Sequence, residues 1–187
     1  MHITDSQLKD LELMAAKVRE TVIEMLVSAG SGHTAGPLGM ADIFTALYFH
    51  VLTHDPKRPM WDNRDRLILS NGHITPVRYA TMAHAGYFPL EDTLTLRKFG
   101  SPLQGHPERE RLPAVETTSG PLGSGLSQAS GMAYGARMDG KKFRIYCLMS
   151  DGEQDCGNTW EAAMFASANM LSNMTAVIDR NNIQING

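Results

Sequence analysis

The chain has 187 residues, a length that fits one domain. At 42% hydrophobic and 20% charged it can bury a core, which excludes a disordered chain. A net charge of −3 with no basic stripe argues against a nucleic-acid partner, and no apolar run reaches the length of a membrane span. Two cysteines, Cys147 and Cys156, make no disulfide framework. The start, MHITDSQLKDLELM, is like neither a signal peptide nor an Arg-rich transit peptide, so a reducing cytoplasm is the expected setting.

Residues 5 to 28 are expected to form the first helix. Leu11, Met14, Ala15, Val18, Val22, Met25 and Leu26 make one apolar stripe. Thr4 with Gln7 fits a capping box, and Gly30 fits the C-terminal stop. SAGSGHTAGPLG, residues 28 to 39, reads as a loop with four glycines. A second helix, Met40 to about Leu52, is apolar almost all round and is expected to be buried. A polar, proline-bearing surface loop follows, then a short strand, RLILS, at 66 to 70. After NGH comes a helix with Thr75 as cap and Pro76 at its first position, ending near Gly86. LEDTLTLRKFG reads as a shorter helix. Residues 100 to 124 show little periodicity, and a loop of that length is functional or mobile. Residues 124 to 138 make a helix of small residues that should pack closely on a neighbour.

The last stretch, Phe143 to Gly187, reads as strand, turn, helix, strand, turn. FRIYCLMS and MTAVID are apolar enough for strands buried on both faces, and Trp160, Ala163, Met164, Ala168 and Leu171 fall at helical spacing between them. That is a βαβ unit with parallel strands. The fold class is α/β, an open, mostly parallel sheet flanked by helices. In such sheets ligands bind outside the carboxyl ends of the strands, where Asp151-Gly152 and Asn181-Asn182 stand.

Three sets of residues carry chemistry. His33, His73 and His106 each follow a glycine in a predicted loop. Glycine permits close approach, and an imidazole there can donate to a phosphate oxygen or move a proton. The competing reading is three unrelated turn histidines. His2, His50, His54 and His84 have no such setting. Asp151 and Asn181 supply hard oxygens, with the Ile183 carbonyl as a third. Mg²⁺ takes few protein oxygens of that kind and fills its shell with phosphate and water. Gly152 leaves room for a diphosphate near a helix N-terminus. DG and NN are also common turn dipeptides, which is the plainer reading. Gly120-Pro121-Leu122-Gly123 holds an apolar residue between glycines, suited to pressing on a ring or simply a surface turn.

Taken together, SGHTAGPLGMADIF, RLILSNGH, QGHPE, VETTSGPLGSGLS, SDGE and RNNIQING resemble the transketolase family, in family order along nearly the whole chain. The resemblance is to its diphosphate-binding domain, and especially to the N-terminal subunit of split transketolases. It implies thiamine diphosphate and Mg²⁺ as cofactors. Asp151, Asn181 and the Ile183 carbonyl would hold Mg²⁺; Gly152, Asn181 and His73 would contact the diphosphate. Gly120 and Leu122 would border the aminopyrimidine, while His33 and His106 would face the sugar and assist proton transfers. The implied reaction moves a two-carbon ketol unit from a ketose phosphate to an aldose phosphate, as in pentose phosphate metabolism. The implied partner is a pyrimidine-domain subunit, in a dimer of heterodimers. A deoxyxylulose-phosphate synthase, a specialised sugar transketolase and a non-catalytic homologue are the alternatives. Ser150 replaces the first glycine of the family's GDG turn. Cys156 stands where the family has a glutamate of an acidic relay between paired sites; Glu161 would be the second member of that relay. The family domain runs well beyond Asn186-Gly187, so residues 1–187 are expected to be a partial domain.

Overall fold

Three parallel strands, in the order β1-β2-β3, form the sheet of the computed structural model, which describes residues 3–183. They are β1 (Arg66–Leu69), β2 (Ile145–Ser150) and β3 (Met174–Asp179). Register runs from Arg66 opposite Ile145 to Leu69 opposite Leu148, and from Ile145 opposite Met174 to Ser150 opposite Asp179. The architecture is α/β, as the alternation of strands and helices predicts. Contacts divide the chain into two units, Met1–Pro59 with His73–His106, and Met60–Gly72 with Pro107–Gly187.

The second unit holds the sheet. Every residue of β2 is buried because a strand lies on each side of it and α5 (Gly125–Met138) covers it. Ile68, Ile145, Cys147 and Met149 of the sheet meet Leu126, Ala129 and Ala133 of α5 and Ala162 of α6 (Gly157–Ala168) in one core. One expectation needs correction. β3 is not buried on both faces: among the described residues it lies at an edge of the sheet, and Ile178 is 49% exposed. α6 forms in the stretch with helical spacing, and its inward face is the one with small residues. Thr159, Ala162, Ala163 and Ala166 face the core, while Trp160 and Met164 are 58% and 65% exposed. Small side chains let α6 lie close to α5, and the large ones point away. Of the five residues at helical spacing, Ala163 and Leu171 pack against the core.

The first unit is helical. α1 (Asp5–Ala29) begins on the predicted capping box: Gln7 N–H donates to Thr4 Oγ1 at 3.3 Å, and Thr4 N–H donates to Gln7 Oε1 at 3.0 Å. It stops at Gly30, whose φ of 63° is left-handed. Ala15, Val18, Val22, Met25 and Leu26 are buried where α1 packs on α3 (Ala41–Ala46) and α4 (Thr75–His84). The glycine-rich segment is not all loop, since α2 (Ala35–Gly39) forms within it. The second predicted helix spans the expected stretch, Ala41–Val51, but is less buried than expected. α3 passes into a π-helical turn, Leu47–Val51; Ala41, Phe44, Thr45 and Tyr48 face inward, and Ile43, Phe49 and Val51 are exposed. Thr75 is not a cap: α4 starts on it with Ile74 as N-cap, and the Thr75 hydroxyl finds no hydrogen-bond partner among the described residues. LEDTLTLRKFG yields a 3₁₀ segment, Leu90–Thr95. Among the described residues no helix is long and apolar enough to cross a membrane.

The close approach expected of α5 is real at one glycine. A Cβ on Gly125 would lie 2.4 Å from Ser70 Cβ and 2.7 Å from Ser70 Cα, whereas one on Gly135 meets nothing within 4 Å. Gly125→Ala is therefore expected to cost about 1–3 kcal/mol by overpacking. Gly135→Ala is expected to gain about 0.5–1 kcal/mol through helix propensity. Urea unfolding of the two variants against the parent measures both signs.

Candidate functional site

Parallel pairing sets the ends of β2 and β3 side by side, so the turn after each strand meets the other. Asp151 N–H donates to Asp179 O at 3.1 Å. The Asp151 carboxylate accepts Gly152 N–H at 2.9 Å through Oδ1 and Asn182 N–H at 2.7 Å through Oδ2. Asn181 folds its own turn, its Oδ1 accepting Ile183 N–H at 3.0 Å, and Asn182 takes a φ of 56°. Ile183 is exposed at the same edge. Asp151, Gly152, Asn181 and Ile183 are thus brought together. The final turn at Asn186-Gly187 lies outside the described residues.

A further carboxylate, which no motif marks, also stands here. Burial and the Asp151 charge hold the Asp179 carboxyl above the ordinary range, partly offset by a hydrogen bond from Asn181. Two carboxylates and an amide on adjacent strand ends are a hard-oxygen donor set. A divalent cation of the Mg²⁺ kind would relieve their mutual repulsion, so the residues present fit such an ion.

Glu153, also unpredicted, organises the surroundings. It is 1% exposed. Its Oε2 accepts Ser70 Oγ–H at 2.5 Å and Gly123 N–H at 2.8 Å; its Oε1 accepts Ser150 N–H at 2.6 Å. Ser70 Oγ in turn accepts Gly125 N–H at 3.1 Å. The end of β1, the end of β2 and the Gly120–Gly123 loop therefore share one carboxylate. Asn158 Nδ2 donates to Gly123 O at 2.9 Å, which holds the same loop to α6. At its φ of 80° Gly123 leaves no room for a Cβ, which would lie 2.5 Å from Cys156 Cβ. Leu122 is left 44% exposed, with its carbonyl accepting from Cys156 Sγ at 3.7 Å, and Gly120 has open space beside it. An exposed Leu between glycines can border a flat ring. Upstream, a buried ion pair fastens the long loop: Arg64 Nη2 donates to Glu116 Oε2 at 2.9 Å, with Arg66 Nε at 3.7 Å. Periodicity gives no sign of that pair. Glu161 is exposed on α6. Cys147 is buried in the core, and burial with the nearby Glu153 charge pushes its thiol up to about 12.

The first unit gathers the three glycine-preceded histidines. His33 and His73 have ring centroids 4.9 Å apart at 52°. Burial first, then the charges of His33 and His106, holds His73 below the ordinary imidazole range. Burial, His33 and Arg97 do the same to His106. The 104–106 turn is tied down by Tyr79, whose hydroxyl donates to Gln104 O at 3.0 Å. His54 and His84 are structural, bonded to Tyr87 at 2.9 Å and Thr21 at 3.0 Å. His2 lies outside the described residues.

The arrangement has relatives. The family model for the thiamine diphosphate binding domain of transketolase matches residues 11–187. A 6-deoxy-6-sulfo-D-fructose transketolase subunit from a Clostridium species is 42% identical over 178 residues, covering 95% of this chain and 65% of that subunit. An apulose-4-phosphate transketolase subunit from Phocaeicola vulgatus is 42% identical over 181 residues, 97% of this chain and 64% of that one. The crystal structure of Campylobacter jejuni transketolase superposes with a TM-score of 0.90 at 37% identity, over 100% of this chain and 30% of that one. The chain thus spans about two thirds of the subunit relatives and under a third of the long one.

Two outcomes follow from this geometry. Glu153→Gln turns an NH₂ group toward the backbone N–H of either Gly123 or Ser150, and is expected to cost about 1–3 kcal/mol, seen as a lower urea midpoint. Because His73 and His106 are depressed when folded, the unfolded chain binds more protons below an imidazole pKa of about 6.5. Their stabilising contribution is full above that pH and is lost as pH falls through the folded values. The urea midpoint should drop on acidification through that window, and His73→Gln should flatten the dependence.

Proposed function

Because this chain belongs to the transketolase family, as its thiamine diphosphate binding domain, we propose that it is the diphosphate-binding subunit of a two-chain transketolase. The reaction is the transfer of a two-carbon ketol unit from a ketose phosphate to an aldose phosphate, with a pyrimidine-binding subunit completing the enzyme as a dimer of heterodimers in the cytoplasm. The observation that carries this reading is the Asp151 turn bonded to the Asn181 turn across two parallel strand ends. The names of the two 42%-identical relatives, each a transketolase subunit, support a separate partner chain.

The family resemblance supports the residue roles. Asp151 and the oxygens of Asn181 and Ile183 would hold Mg²⁺, with the Asp179 carboxyl beside them. The Gly152 N–H and the Asn181 amide would bind and orient the diphosphate, a role the resemblance also gives to His73. Gly120 and Leu122 would border the aminopyrimidine. His33 and His106 would stand toward the sugar and hold or move protons at its hydroxyls; burial holds His106 below the ordinary imidazole range, which favours the form that accepts a proton. When bound, thiamine diphosphate supplies the carbon nucleophile that breaks and forms the carbon–carbon bond. Cys156 leaves the acidic relay with Glu161 alone, so communication between paired sites is weaker than in members with both acids. The same two relatives act by name on a sulfo-sugar and on apulose-4-phosphate, which favours a specialised sugar substrate as the finer reading.

Asp151→Ala is expected to abolish Mg²⁺-dependent thiamine diphosphate binding, measured by titration calorimetry with the pyrimidine-binding subunit present. Affinity within twofold of the parent would remove the anchor from this position.

A further inference from the structure

Two polar side chains at the strand ends are buried without a partner. Asn71 is 0% exposed, and neither its Oδ1 nor its Nδ2 finds a hydrogen-bond partner among the described residues. Ser150 is 8% exposed, and its Oγ is in the same condition. A buried amide or hydroxyl left unpaired is costly, so in a folded protein such groups mark a bound water, ion or ligand. The polar groups around them are otherwise satisfied. Ser150 N–H donates to Glu153 Oε1 at 2.6 Å, and Ser150 O accepts from Gln154 Nε2 at 2.9 Å. Ser70 Oγ is taken up by Glu153 and Gly125. Strand pairing brings the two groups level. Leu69 stands opposite Leu148, and Ser70 N–H donates to Leu148 O at 2.8 Å, so the ladder runs one residue further and Asn71 comes beside Ser150. Ser150 alternates with Met149, whose side chain lies in the core with α5, and so projects from the other face of the sheet. An amide and a hydroxyl offer both donors and acceptors on three atoms, and an enclosed water makes about three hydrogen bonds. Neither group carries the charge that would compensate a desolvated ion.

We propose that Asn71 and Ser150 share a buried water that ties the end of β1 to the end of β2, and that through it they are positioning residues for the Asp151 turn. A water-mediated bond is nearly as favourable as a direct one. Ser150 directly precedes Asp151, whose N–H donates to Asp179 O and whose carboxylate accepts Asn182 N–H. A shift at the end of β2 is therefore passed to the whole turn. The positioning role rests on the proposed function, because it needs the cofactor to be held there; the water tie does not require it. Neither residue touches the cofactor in this arrangement.

The test is a double-mutant cycle with two readouts. Ser150→Thr and Ser150→Val differ only by a hydroxyl against a methyl, so the effect of added bulk cancels between them. Asn71→Leu removes the amide at similar volume, and Asn71→Ala takes its place if that variant does not fold. Urea midpoints are measured on the chain alone. Affinity for thiamine diphosphate with Mg²⁺ is measured by titration calorimetry with the pyrimidine-binding subunit present. Ser150→Val should have a lower midpoint than Ser150→Thr and bind thiamine diphosphate about fivefold more weakly. Asn71→Leu should show losses of the same order against the parent. The double variant, Ser150→Val with Asn71→Leu, should be no worse than the poorer single one, because the water is lost once. Losses that add in the double variant overturn the shared water, as does Ser150→Val matching Ser150→Thr in both readouts. Midpoints that couple while cofactor affinity stays at the parent's value overturn the positioning role. If the parent binds no thiamine diphosphate yet the midpoints couple, the proposed function and the positioning role fail and the water tie stands.

Discussion

The buried carboxylate of Glu153 is the interaction on which the second unit depends. A carboxylate taken out of water is costly unless donors replace its hydration. Here Ser70, Gly123 and Ser150 supply three, each from a different segment. Charge-assisted bonds of this kind are stronger than neutral ones, and together they set the end of β1, the end of β2 and the Gly120–Gly123 loop around one point. The residue's own backbone carries the constraint onward. Thr159 Oγ1 donates to Glu153 O at 3.1 Å, which seats the first turn of α6. No hydrophobic contact has that directionality, so the position of Leu122 relative to Asp151 is decided by hydrogen bonds and not by the core.

The core decides something else: register. β2 is buried throughout and cannot slip by one residue without turning its inward side chains over. Its pairing with β3 places Ser150 opposite Asp179, and the two following turns then meet by construction. The Asp151 to Asn182 bond is a consequence of that register, and the accumulation of Asp151, Asp179 and Asn181 at one edge follows from it. The same register adds the Asp151 charge to the effect of burial, and the two push Asp179 toward its protonated form.

In the first unit the logic is steric. Gly105 makes room for Arg97, Gly32 for Leu26, and Gly36 for Ile74, whose Cγ2 would lie 2.6 Å from a Cβ there. Backbones and flat cationic groups therefore approach one another where side chains would separate them. Three imidazoles and a guanidinium result, with a local charge balance opposite in sign to that of the Asp151 turn.

Much of this is legible in the amino-acid sequence. The Thr4–Gln7 cap, the Gly30 stop, the βαβ unit and the three Gly-His turns are written in residues a few positions apart, and capping, helical period and strand hydrophobicity act over such distances. The motifs named the family and, with it, Asp151 and Asn181. What periodicity could not carry is whatever depends on distant partners. Glu153 meets Ser70 across 83 residues and Gly123 across 30, and Arg64 meets Glu116 across 52. Trp160 and Met164 have the spacing of a core stripe yet face outward, because a neighbouring helix of small residues selects the alanine side. MTAVID is apolar enough for a central strand, and only the strand order makes it an edge. The sequence by itself determined the main strands and helices, the caps of α1 and the family. Tertiary structure alone decided which carboxylate binds the loops together, which face of α6 is inside and which arginine stands beside the histidines, because those depend on packing between segments that no local pattern encodes.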